Sequence, residues 1–157
     1  MFFTAKVDVK KIVIAVIAVV AVIVGLIALL GGNDDSQTTA ADAVSGNEAR
    51  VEFLQNQGWE VAASPTESGQ VRIPQTATDV YDRYNALQKS QGYDLTQYAG
   101  KTVMRYVYKV NNYPGATDPV YATVLVYKNQ IIGGDITDTS AKGTVSALLK
   151  PSGNIED

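Results

Sequence analysis

Apolar and polar residues follow different patterns in successive stretches of the chain. From Ile12 to Leu30 nineteen residues carry no charge, no polar side chain and no proline, with Gly25 as the one break in apolarity. At a helical rise of ~1.5 Å per residue the run is about 28 Å long, the hydrocarbon thickness of a bilayer. Residues 12–30 are therefore predicted to form a transmembrane helix. Residues 31–46, GGNDDSQTTAADAVSG, hold almost no large apolar side chain and read as a flexible linker. From Asn47 to Asp138 the short periodicities of a folded domain take over, and residues 139–157 are a C-terminal tail.

Within that domain, Ser45-Gly46-Asn47-Glu48 has the spacing of a capping box and predicts a helix over NEARVEFLQNQ, with Ala49, Val51, Phe53 and Leu54 on neighbouring faces and Gly58 at the left-handed stop. Trp59 to Val61 is expected to be a strand, paired across a turn at Pro65–Gly69 with Gln70–Ile73. A second helix is predicted from Thr78 to about Gln91, with Val80, Tyr84, Leu87 and Gln91 along one face and Gly92 as its end. KTVMRYVYKV alternates, VYATVLVY is a β-branched and aromatic run, and with IIGGDIT they are predicted as three strands. NNYPGATDP forms a loop between the first two, and a tight hairpin at Lys128-Asn129-Gln130 joins the last two. Gly133-Gly134 suggests a bulge or a close backbone approach. A short helix is expected near Val145–Leu149, and the last several residues are expected to be mobile. The fold class is α+β, two helices packed on one face of an antiparallel sheet, and residues 45–138 should fold without metal or disulfide.

The flanks of the apolar run bear on location. A secretory signal has an apolar core of about 7–15 residues followed closely by small residues. Here the run is longer, and the nearest Ala-x-Ala, Ala41-Asp42-Ala43, lies well beyond it, so a signal-anchor is predicted. Lys6, Lys10 and Lys11 precede the run while Asp34 and Asp35 follow it, which places residues 1–11 in the cytoplasm and the domain outside. The expectation is a single-pass protein of the plasma membrane, with its domain in the cell envelope.

Composition narrows the chemistry. The chain has no cysteine and no histidine, which removes thiolate chemistry, disulfides, the commonest general base and the commonest metal ligand. From Asn47 onward ten Lys and Arg are interspersed with twelve Asp and Glu, a balance that gives no nucleic-acid footprint. No cofactor or metal is expected. Two carboxylate pairs, Asp79 with Asp82 and Asp135 with Asp138, are read as helix-capping and turn chemistry rather than as catalytic groups.

Tyrosine is the more informative residue. All nine lie between Tyr81 and Tyr127, and in Met104-Arg105-Tyr106-Val107-Tyr108-Lys109 the pleat puts Tyr106 and Tyr108 on one face and Arg105 and Lys109 on the other. A tyrosine cluster suits either binding or a half-buried core. Tyr106, Tyr108, Tyr113 and Tyr121 are the candidate binding residues, with Tyr113 presented by the Asn111–Gly115 loop.

The runs ARVEFLQNQGWEV, VRIP, VYDRYNALQKSQGYDLTQYAGKTVMRYVYKVNNYPG and VYATVLVYKNQIIGGDI resemble a bacterial family known as domain of unknown function 4830. The resemblance covers residues 47–138 and departs from the family pattern in TDTSAKGTVSALL. It implies a domain preceded by a membrane segment and carries no activity, ligand or catalytic residue with it. A non-catalytic binding or interaction module of the cell envelope is the expected function, with an envelope protein, a peptide or a glycan as partner. The alternatives are an envelope hydrolase using carboxylates and a structural spacer.

Overall fold

A computed structural model of the chain describes residues 44–152. The predicted cytoplasmic segment 1–11, the transmembrane helix 12–30, nearly all of the linker 31–46 and the last five residues lie outside the described residues. Among the described residues no helix is long and apolar enough to cross a membrane.

Helix α1 spans Asn47–Asn56, strand β1 Glu67–Arg72, helix α2 Asp79–Ser90, a 3-10 turn Leu95–Tyr98, and strands β2 to β5 Thr102–Val110, Val120–Tyr127, Gln130–Asp138 and Val145–Ser146. The five strands form one antiparallel sheet in sequential order. Strand β3 lies at its centre, and Ala122 to Val126 are buried without a break. Because successive side chains point to opposite faces, an unbroken buried run requires cover on both faces of the sheet.

Two hydrophobic clusters supply that cover. On the first face Tyr108, Val110, Val120, Ala122, Val124, Val126, Ile131 and Ile136 pack beneath Leu54 of α1, Trp59 and Leu148. On the second, Val71, Val103, Leu125 and Ile132 pack with Leu95 of the 3-10 turn and the α2 tyrosines Tyr81 and Tyr84. The two helices thus sit on opposite faces, which corrects the expectation that both share one.

The predicted elements are found with particular differences. Helix α2 begins at its Thr78 N-cap, whose hydroxyl oxygen accepts from the Tyr81 amide at 3.2 Å. Its inward face keeps Tyr84 and Gln91 of the expected set and adds Tyr81, Asn85 and Gln88 in place of Val80. Asn85 and Gln88 are buried, whereas Val80 is 61% exposed. The amide of Gln88 binds both backbone groups of Gly134, donating to its carbonyl at 3.0 Å and accepting from its N–H at 2.8 Å. A periodicity of apolar residues gives no reason to turn Asn85 and Gln88 inward ahead of Val80.

The capping box at Ser45–Glu48 is absent. Gly46 is the N-cap, at φ 101° and without a side-chain hydrogen bond, so Ser45 precedes the cap and Glu48 stands one position early. Gly58, at φ 96°, closes α1 as expected. Residues 59–61 do not pair with 70–73. Val61 bridges Val110, the Ala62 amide donates to Lys109 O, and β1 pairs with the earlier part of β2, so both segments run along the same strand and are separated at Pro65.

The hairpin between β3 and β4 turns on Lys128 and Asn129, at φ 48° and 62°, the two left-handed positions of a type I′ turn. The register of β3 and β4 slips between Leu125 and Val126, opposite Ile132, so the expected bulge next to Gly133 is present. The tail forms strand β5 rather than a helix near Val145–Leu149. Leu148 enters the first cluster and accepts a hydrogen bond from the Trp59 indole on its carbonyl, and the Lys150 amide donates to Gln57 O. The folded unit therefore runs past residue 138 to about Lys150.

Candidate functional site

Helix α2 and the 3-10 turn cover only part of the second face of the sheet. Beyond them a groove of about 340 Å³ lies open, lined by Thr66 and Glu67 at the start of β1, Arg105 and Val107 of β2, Tyr121 and Thr123 of β3, and Thr137 of β4. Strand register builds this lining. Glu67 stands opposite Val107, Val107 opposite Thr123, Thr123 opposite Asp135, and Tyr121 opposite Thr137, so one face of four strands presents one cross-strand row, polar but for Val107, and part of the next.

Arg105 donates from Nη1 to Glu67 Oε1 at 2.8 Å, and its side chain is 12% exposed against 52% for Glu67. Asp135 is buried beside the groove. Tyr84 donates to its Oδ2 at 2.7 Å and Thr137 to its Oδ1 at 2.8 Å. Burial nevertheless pushes the Asp135 carboxyl above the ordinary aspartate range, outweighing the lowering by Tyr84, Thr137 and Arg105. Burial first and the neighbouring Asp135 second hold the Tyr84 hydroxyl well above its usual range. Among the described residues no group of three or more acidic side chains is placed to hold a metal ion.

The four candidate tyrosines do not line one surface. Tyr108 is fully buried, donates from its hydroxyl to Asn47 Oδ1 at 3.0 Å and accepts from Arg50 Nε at 2.9 Å. Tyr106 lies beneath the same guanidinium, whose carbon is 3.7 Å from the ring centroid. Tyr113 stacks on Trp59 at 5.7 Å, and the Asn112 side chain of its loop accepts from Glu60 N and donates to Gly58 O. These three belong to the first face. Tyr121 alone of the four reaches the groove.

Asp79 and Asp82 occupy the first turn of α2, and Asp138 accepts from the Ser140 amide, as ordinary end chemistry would have it. Asp135 is different, being a strand-interior carboxyl. Sequence reasoning also passed over Glu67, Thr123 and Thr137. The usable signal was the alternation in Met104–Lys109, which sets Arg105 on the face away from Tyr106 and Tyr108.

A family model described as a domain of unknown function, DUF4830, matches residues 53–136, more than half of the chain. The chain belongs to the DUF4830 family. No curated protein and no solved structure matches it. The DUF4830 match takes in β1, β2, β3 and β4 as far as Ile136, with Arg105, Tyr121, Thr123 and Asp135 among their residues, and stops just before Thr137.

Proposed function

We propose that this DUF4830 protein is a non-catalytic binding or protein-interaction module of the bacterial cell envelope, tethered through residues 12–30 and contacting its partner with the open groove of the second sheet face. The observation that carries this reading is the fate of the tyrosines. Eight of the nine pack in or against the two hydrophobic clusters, and Tyr121, the ninth, lines the groove. Rings that fill cores are accounted for by burial. A ring on a concave polar surface, beside a largely buried Arg105, has the makings of a recognition site.

Purified full-length chain, held in detergent, should co-sediment with isolated cell-wall sacculi. Thr66→Trp, which fills the groove from its exposed rim, should reduce the bound fraction, while Gln55→Trp on exposed α1 should leave it unchanged. Absence of sedimentation, or equal sedimentation of both variants, contradicts the proposal.

The second reading, a carboxylate hydrolase, draws on the raised pKa of Asp135 in a buried position next to the groove. It requires that incubation with solubilised wall fragments yield cleavage products by mass spectrometry, and that Asp135→Asn abolish them.

A further inference from the structure

The polar inventory of the groove narrows the chemistry of what it holds. A guanidinium has five N–H donors. Arg105 uses one on Glu67, and makes no other hydrogen bond among the described residues. Its side chain is only 12% exposed and lines the groove, so it brings unused donors to that lining. The hydroxyl proton of Thr66 is spent on Val107 O at 3.1 Å and that of Thr137 on Asp135, so these two lining residues retain acceptor capacity only. Tyr121 adds a ring and a hydroxyl with no partner among the described residues, and Val107 adds an apolar patch.

Charge points the same way. Glu67 offsets Arg105, which leaves the lining without a net field to draw in a free carboxylate or an ammonium group. The floor of the groove is formed by Arg105 and Val107 of β2 and Tyr121 and Thr123 of β3, whose strands are paired on both sides and offer no ladder to an extended peptide, while β1 at the margin is the edge strand of the sheet. Mixed donors and acceptors, one aromatic ring and a small apolar patch fit a molecule with many hydroxyls and an apolar C–H face. A cavity at the small end of the ~300–1,000 Å³ range of ligand sites suits a short one.

We infer that the groove binds a neutral oligosaccharide, with a sugar ring over Tyr121 and its hydroxyls bonded to Arg105, Glu67 and the threonines. This rests on the proposed binding function and names its ligand class.

Calorimetric titration of the full-length chain tests it, in a detergent without a sugar headgroup, with chitotetraose as the neutral saccharide and trialanine as the peptide control. Chitotetraose should bind and trialanine should not. Tyr121→Ala and Arg105→Lys should each weaken the saccharide about tenfold, the latter because lysine keeps the charge but loses the planar fork. Thr66→Trp, a rim substitution that leaves the core intact, should weaken it as well, with the melting temperature unchanged. Trialanine binding that depends on these residues, without saccharide binding, overturns the saccharide while leaving the groove as a binding site. Sedimentation with sacculi in the absence of any chitotetraose binding also overturns it. Saccharide binding indifferent to all three substitutions overturns the groove as its location.

Discussion

Gln88 shows how one side chain can replace a missing strand partner. Strand β5 pairs only with Ile136 and Thr137 of β4, so Gly134 has no partner there, and the Gln88 amide binds its N–H and C=O in place of a strand. Gln91 reinforces the join, donating to the same carbonyl at 3.1 Å and accepting from the Leu148 amide at 2.7 Å. Gln88→Ala leaves the buried Gly134 N–H unpaired, its carbonyl held by Gln91 alone, and opens a cavity, and should cost about 3 kcal/mol in denaturant unfolding. Asp135 makes the opposite kind of contribution. Its carboxyl binds a proton more tightly in the folded chain than in the unfolded one, so its contribution to stability is complete below the ordinary aspartate range and is lost as pH rises through the folded pKa. Tyr84, Arg105 and, through Arg105, Glu67 are the titratable and charged groups around it. Urea unfolding between about pH 4 and pH 7 should show wild type losing more stability with rising pH than Asp135→Asn. Equal slopes would remove Asp135 from the account.

At the scale of elements, legibility followed the kind of signal each segment carries. The three long strands, helix α2, the hairpin and the bulge at Gly133 were readable because each depends on local propensity or turn chemistry. The Gly133-Gly134 pair is explained by contact. A Cβ on Gly133 would come within 2.8 Å of Gln88 Oε1, and one on Gly134 within 2.4 Å of Thr123 O. What could not be read were contacts that join distant segments. Arg50 is buried on α1 because Tyr106 and Tyr108 receive it, and the tail is ordered because Trp59 and Gln57 hold Leu148 and Lys150. No local pattern announces either. Removing residues 139–157 takes Leu148 from the first cluster, and should lower unfolding stability by about 2–4 kcal/mol relative to the full chain. Unchanged stability would mean that β5 and Leu148 are dispensable cover.

For the whole molecule, the asymmetry between the two sheet faces is the feature from which the proposed function follows. One face is closed by α1, Trp59 and the tail. The other is closed by α2 only in part. The sequence carried this asymmetry in the alternation of β2, where tyrosines alternate with Arg105 and Lys109, yet it gave no means of telling which face a helix would leave open. Three of the four candidate tyrosines, Tyr106, Tyr108 and Tyr113, pack on the first face of the sheet, away from the groove, since an aromatic ring serves a core as readily as a ligand. The proposed tether predicts that protease added to intact cells removes the domain and spares the N-terminal residues; a domain digested only after lysis would overturn that orientation. The absence of cysteine allows the most direct test of the groove, because a single introduced thiol is a unique probe. Thr66→Cys on the groove rim and Gln55→Cys on the exposed face of α1 should both react with a maleimide in the purified full-length chain. Addition of solubilised cell-wall fragments should slow labelling at Cys in position 66 and leave position 55 unaffected. Unaltered labelling at both positions, or protection confined to position 55, would contradict the assignment of the groove as the contact surface.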